Sequence, residues 1–274
     1  MIFDDTKCEL GEGPLWHPLR KQLFWFDILG KRLHTKGQHW DFDHYVSAAG
    51  WVDHDTLIIA SAVGLHRFNS TTGEQSLLCD LEADNPITRS NDGRADPQGG
   101  FWIGTMGINA EERAGAIYRY YKGELRLLYG NIQISNAICF APSGDTAYFT
   151  DTNKQTIFAV TLNADGWPTG SPRVNIDLRD TDFRPDGAVV DTAGNLFSAQ
   201  WGVGRIAAYD PSGDFIEAFD VPAIQSSCPA FGGEDLGTLY CTSAAVGRDG
   251  DDDGKTFAIK TNYTGQAEHQ VILP

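Results

Sequence analysis

The sequence predicts an all-β protein: a six-bladed β-propeller with four-stranded blades. Three observations carry the prediction. A segment recurs along the whole chain, short apolar or alternating runs are bounded by turn residues, and helical periodicity is scarce.

The recurring unit has a small residue or proline, a short apolar strand, a polar turn, and a second strand ending in Asp, Thr, Ser or Ala; a third strand usually follows. The first unit opens "GPLWHPLRKQLFWFD" and continues "KRLHTK", and the second opens "GWVDHDTLIIASA" and continues "GLHRFN". The third pairs "GRADPQGGFWIGT" with "GAIYRYY", and the fourth "AICFAPSGDTAYFTD" with "TIFAVTL". The fifth pairs "GAVVDTAGNLFSA" with "RIAAYD", and the sixth "PAFGGEDLGTLYCTS" with "KTFAIK". Gly- and Asp-rich turns such as "STTGE", "PSGD" and "TAGN" separate the strands. First strands begin near residues 13, 50, 93, 137, 187 and 229, a spacing of roughly 36 to 50 residues, which is the length of a propeller blade. Six such blades occupy residues 1–274 as a single domain. The N-terminal "MIF" and the C-terminal "EHQVIL" are expected to share one blade and latch the ring. A large β-sandwich is the competing architecture, but it does not require this repeat.

Composition narrows the function. The formal charge is −16, from 37 acidic and 21 basic residues, with no basic stripe for a phosphate backbone, so no nucleic-acid partner is expected. No apolar run is long enough to span a membrane, and the first residues lack the pattern of a signal peptide. The five cysteines are scattered, odd in number and without a CxxC pair, which suits reduced thiols in a cytoplasmic protein. A monomer or weak homo-oligomer is expected.

In a propeller the innermost strand of each blade starts at the central channel, so the residue before each first strand should face one shared space. Those residues are Glu12, Ala49, Asp92, Asn136, Asp186 and Cys228, with Asn91 one step earlier in its blade. Asp or Asn before Gly is also a turn former. Their recurrence at equivalent positions favours convergence, and Glu12 is the most telling because glutamate is a poor turn residue. Oxygen donors of this kind suit one hard divalent cation such as Ca²⁺, Mg²⁺ or Mn²⁺, held by Glu12, Asn136 and Asp186.

Other motifs weigh less. "DGDDDG", residues 249–254, opens like an EF-hand loop, but Phe257 and Lys260 stand where ligands at the ninth and twelfth positions are needed. A solvated acidic loop is expected there. The seven histidines show no HExxH spacing, "GEGP" is no phosphate loop, and Ser227 lacks a nucleophile elbow.

The chain also resembles a known family over nearly its whole length: the gluconolactonase, regucalcin and senescence-marker-protein family. The resemblance is carried by "LGEGPLW", "RSNDGRADPQGGFWIGTM", "ISNAICFAPSGDTAYFTDT", "RPDGAVVDTAGNLFSAQWG" and "CPAFGGEDLGTLYCTSA". It implies a six-bladed propeller with an axial divalent metal, Ca²⁺ foremost, with Zn²⁺, Mn²⁺, Mg²⁺ or Fe²⁺ as other occupants. Many members hydrolyse lactones of sugar acids. Carried over by motif, Glu12, Asn136 and Asp186 hold the metal, Arg89 and Asn91 hold the substrate, and Asp186 also serves as catalytic base. Where some members place a substrate-contacting Glu after "GTM", this sequence has Gly107, Ile108 and Asn109, so that contact is not carried over. Ala137 replaces the usual Gly after the amide ligand, a change expected to be immaterial.

The resemblance thus implies a metal-dependent hydrolase that opens a sugar lactone to its acid. The metal polarises the carbonyl, Asp186 assists the attacking water, and Arg89 steadies the developing oxyanion. The alternatives are a calcium-binding regulatory propeller without lactonase activity, or an esterase of another substrate class. Trp201 and Trp51 are candidates to wall the pocket.

Overall fold

A computed structural model describes residues 1–274 and contains six four-stranded antiparallel sheets. The one helical element is a three-residue 3₁₀ turn, Thr152–Lys154. No helix is long and apolar enough to cross a membrane. The innermost strands, in blade order, are Gly11–His17, Val46–Trp51, Thr88–Ala95, Ser135–Phe140, Arg184–Val190 and Ser226–Gly232. Each heads a meander in which consecutive strands pair with one another.

The sixth blade departs from that pattern. Its outermost strand is Ile2–Asp4 from the N-terminus, paired with Thr256–Lys260, so the first residues latch the ring as expected of "MIF". The C-terminal "EHQVIL" forms no strand, which corrects the expectation that it shares this blade. It instead crosses the mouth of the channel where the inner strands end. There the Val271 amide donates to the Trp51 carbonyl, Ile272 donates to Gly99, and Glu268 pairs with Arg94. Arg94 also donates to the carbonyls of Ile138 and Ala188, at 3.3 Å each. The channel is therefore stoppered at that end.

Six apolar clusters hold the ring, one at each blade-to-blade interface. The cluster between the fourth and fifth blades joins Ala137, Cys139 and Tyr148 to Ala188, Val190 and Leu196. Alternate residues of each strand supply opposite faces, so every blade contributes to two clusters. One fully buried ion pair, Arg119–Asp96 at 2.6 Å, stands among them, and the guanidinium lies 4.3 Å from the Tyr121 ring and 4.4 Å from Trp167.

Every inner strand carries one extra residue relative to its neighbour, within its first five residues in all six blades. In the first blade Glu12 pairs with Phe26 and Leu15 with Phe24, so Gly13 and Pro14 together face Trp25. Such a bulge bends the strand and re-aims its side chains. Glu12 and Asn136 immediately precede their bulges, and Asn91 and Asp186 are the first residues inside theirs. In the second blade the bulged residue is Ser47, whereas Ala49 lies in the core with Leu15 and Phe26. That corrects the expectation that Ala49 faces the channel.

Candidate functional site

The bulges gather their side chains at the open mouth of the channel, where a cavity of about 500 Å³ is lined by Glu12, Arg89, Asn91, Asn136, Thr152 and Asp186. That size suits a small-molecule ligand. All five residues singled out from the sequence are buried and line it together. Its walls are largely apolar, with Leu29, Ile108, Ile134 and Trp201 among them, and Asn153 and Arg184 are also part of its lining. Trp201 lines the cavity as expected, but Trp51 does not: its indole nitrogen donates to the Glu268 carbonyl at the stoppered end.

A hydrogen-bonded chain fixes the polar side. Arg89 donates to the Ser90 carbonyl at 2.9 Å and to Asn91 Oδ1 at 2.7 Å. Asn91 Nδ2 donates to the Ser135 carbonyl and to Asn136 Oδ1, at 2.9 and 3.1 Å. Asn136 Nδ2 donates to Thr152 Oγ1 at 2.9 Å, and Thr152 in turn donates to the Pro185 carbonyl at 2.9 Å. The chain orients both amides, since each nitrogen is committed to an acceptor. Asn136 Oδ1 has two lone pairs and receives one donor here, so it can accept a cation as well. Arg89 Nε is buried without a partner, which leaves a donor inside the site.

The backbone accommodates this at two conspicuous points. Gly13, after Glu12, has φ +53°, and a Cβ there would come within 2.2 Å of the Ser47 carbonyl oxygen. The equivalent residue after Asn136 is Ala137 at φ +55°, a left-handed conformation that disfavours any side chain. The replacement of glycine there is therefore not immaterial.

The electrostatics show a shortage of positive charge. Burial, reinforced by Asp92, pushes the Glu12 carboxyl up to about 8. Burial, then Glu12 and Asp92, drives Asp186 well above the usual carboxylate range. Asp92 rises to about 6 through burial, and one of its oxygens accepts the Ile138 amide at 2.7 Å. Burial lowers Arg89 to about 10, although Glu12 and Asp186 favour its charge. Arg89 thus faces two buried carboxylates, Glu12 and Asp186, while Asp92 has Arg94 as its cationic neighbour. Carboxylate and amide oxygens around such a deficit form a donor set that fits a hard divalent cation. Glu12, Asn136 and Asp186 are the cavity-lining members; Asp92 is not part of the lining.

The acidic 249–254 loop is distant in character. Asp253 pairs with Arg248 at 3.0 Å and Asp252 with Lys255 at 3.1 Å, so these carboxylates already have cationic partners. Sequence reasoning missed Thr152 and Arg184. Thr152 sits in the 3₁₀ turn rather than at an inner-strand position, so the repeat could not point to it. Arg184 precedes the recurring unit, in a stretch that reads as loop.

Residues 10–245 match the family model described as SMP-30/Gluconolactonase/LRE-like region. A Rhizobium meliloti (strain 1021) protein, provisionally named a sugar lactone lactonase, is 39% identical over 280 residues, covering 97% of this chain and 95% of that protein. The L-arabinolactonase of Azospirillum brasilense is 34% identical, with 97% and 93% covered. The crystal structure of a calcium-binding protein, regucalcin, from Agrobacterium tumefaciens superposes with a TM-score of 0.95 at 38% identity, covering 98% of this chain and 96% of that one.

Proposed function

The chain belongs to the SMP-30/gluconolactonase/LRE-like family, and from that premise we propose that it is a metal-dependent hydrolase that opens a sugar lactone to its sugar acid. One observation carries the proposal: two buried carboxylates, Glu12 and Asp186, the first raising the pKa of the second, converge with an amide oxygen on one cavity of small-molecule size. Glu12, Asn136 and Asp186 would hold one divalent cation, with Ca²⁺ favoured by the oxygen donors. Bound there, such a cation supplies Lewis-acid polarisation of the ester carbonyl.

The chain's own residues account for the rest of the chemistry. Water attacks the carbonyl carbon and gives its proton to the Asp186 carboxylate; the ring C–O bond then breaks, and the departing oxygen takes that proton back from Asp186 to become the new hydroxyl. Arg89 donates to the substrate's oxygens and steadies the negative charge that develops on the former carbonyl oxygen. Asn91 and Thr152 keep Asn136 and Arg89 in position through the hydrogen-bonded chain. Ile108 and Trp201 offer apolar surface to the carbon face of the ring. The reading treats residues 1–274 as one unit. It places the protein in the cytoplasm, in keeping with five unpaired cysteines.

A calcium-binding role without catalysis is the second reading, favoured by the donor chemistry and by the name of the Agrobacterium tumefaciens neighbour. Arg89 separates the two, because a cation buffer gains nothing from a guanidinium beside its ligands. The deciding experiment is a panel of pentono-, hexono- and aryl lactones followed by proton release, with and without chelator. Chelator-sensitive turnover of a sugar lactone is expected. Metal binding with no turnover of any lactone would leave the second reading.

A further inference from the structure

Where the first blade packs against the sixth, the structure brings together three residues that the proposed reaction does not use. Cys8 precedes the first inner strand, Asp27 ends the strand Gln22–Asp27, and His34 lies in Arg32–Thr35. One ligand atom from each, a sulfur, a carboxylate oxygen and an imidazole nitrogen, lies within 4.8 Å of the other two, and all three residues are buried. His34 is only 6% exposed, and its Nε2 is buried with no hydrogen-bond partner. Such orphaned buried groups are rare and call for an explanation. Its ring is stacked on Trp25, at 5.7 Å and 13°, which fixes its plane.

We propose that Cys8, Asp27 and His34 form a second metal site, for a transition-metal cation of the zinc class. The chemistry is that of the donor set: thiolate and imidazole are borderline-soft ligands that select Zn²⁺ and its neighbours over Ca²⁺ or Mg²⁺. The axial site offers oxygen alone, so the two sites sort cations by hardness. Around a tetrahedral zinc, donors of these types stand roughly 3.3 to 3.6 Å apart. With the ligand atoms at most 4.8 Å apart, the cluster needs to contract by about 1.5 Å at most to reach that geometry. Asp27 has room for a metal: Oδ1 accepts the Leu10 and Gly30 amides, whereas Oδ2 accepts only the Glu9 amide and keeps a lone pair. His34 is held neutral by burial, the form in which imidazole binds a metal. Burial also pushes the Cys8 thiol up, so metal uptake must release that proton.

The location gives the site a consequence. Asp27 binds the amides of Glu9 and Leu10, two residues that lead into Glu12, and Leu10 lines the cavity. A cation there would tie the start of the first inner strand to its two neighbours. The inference is independent of the lactonase reading, and so is its test. The full chain is stripped with chelator and titrated with Co²⁺. A thiolate-to-cobalt charge-transfer band in the near ultraviolet is expected, because this site contains a cysteine and the lining of the axial cavity does not. Cys8→Ala should abolish the band while oxygen-only cobalt binding continues. His34→Gln should weaken it beyond the roughly 10- to 100-fold that loss of an outer hydrogen-bond partner costs a metal site. Zinc-edge X-ray absorption of the unmutated chain at two equivalents needs no variant, and should show a sulfur neighbour at about 2.3 Å. Absence of both the band and the sulfur neighbour in folded protein, or a band that survives Cys8→Ala, would overturn the proposal.

Discussion

Replacing Glu12 with glutamine should make the cation-free protein more stable. In the fold, burial and Asp92 raise this carboxyl from its ordinary 4.5 to about 8. Folding at neutral pH must therefore put a proton on a group that the unfolded chain keeps ionised. A group raised in this way favours the fold fully only below its unfolded pKa, and that contribution is lost as pH rises through the folded value. Between a pKa of 4.5 and one of about 8, the cost is about 3 kcal/mol at pH 7 and about 1 kcal/mol or less at pH 5. Glutamine keeps the shape and the acceptor for the Gly13 amide, 3.0 Å away in the native site, but carries no charge to suppress. Asp186 also loses a repelling neighbour when Glu12 is replaced, which adds to the variant's advantage in the absence of a cation. Urea unfolding in the presence of chelator should then show the variant ahead by about 3 kcal/mol at pH 7, or about 6 °C in thermal midpoint for a chain of this size. The advantage should shrink at pH 5. With saturating Ca²⁺ the order should reverse, since the cation binds the native carboxylate and stabilises by mass action. Equal stabilities at pH 7 in chelator would refute the reasoning, because Glu12 would then not sit in a charge-deficient site.

Asp186→Asn, saturated with metal, should lose about 10²- to 10⁴-fold in lactone turnover, the usual cost of removing a general base; a wild-type rate would remove Asp186 from that role. Arg89→Ala should raise KM and lower kcat while metal affinity, read by calorimetry, stays within a few fold; a large loss of metal binding would make Arg89 part of the cation site instead. Asp249→Asn with Asp251→Asn should leave turnover within about twofold, as surface changes do, and a collapse of activity would transfer function to that loop. Ala137→Gly should raise stability by about 0.5 to 1 kcal/mol, because relief of a left-handed alanine exceeds the added freedom of the unfolded chain. A drop in the thermal midpoint would show that the methyl group's packing outweighs the strain.

The architecture was legible because a propeller writes its period into the sequence. Turn-bounded apolar runs mark each blade, and the N-terminal latch follows from closing the ring. Inner-strand boundaries were less legible. Those strands begin two to five residues before the apolar run, at polar stretches such as "RSND" and "RP", because the bulge makes the strand's first half face the channel rather than the core. The same displacement puts Ser47, and not Ala49, at the bulge of the second blade. Register within a blade depends on where the extra residue sits, and local sequence does not reveal that. The C-terminal segment ends in a short apolar run that suits a strand, yet its residues serve a different end: Val271 packs into the interface of the second and third blades, and Glu268 answers Arg94. Thr152 and the Cys8–Asp27–His34 cluster were beyond reach, since both depend on contacts between segments that no spacing rule connects.

The repeated bulge explains how a near-symmetric ring can hold an asymmetric site. A regular strand alternates its side chains between the two neighbouring blades, so none is directed along the axis. One extra residue near the start of each inner strand breaks that alternation beside the channel mouth. Chemistry then depends only on what each blade places there. The first, third, fourth and fifth blades place Glu12, Asn91, Asn136 and Asp186. The second and sixth place serines that close the ring by hydrogen bonds, from Ser47 to Ser90 at 2.8 Å and from Ser227 to the Gly11 carbonyl. Stability has a different source, the six interfacial clusters, while the left-handed Ala137 and the mutually repelling carboxylates sit at the axis and oppose it. The two sets of residues should therefore respond oppositely to substitution. Changes at the axis should trade activity for stability, as stability–function arguments anticipate. Changes in the clusters should cost stability first, and turnover only when the bulges lose their support.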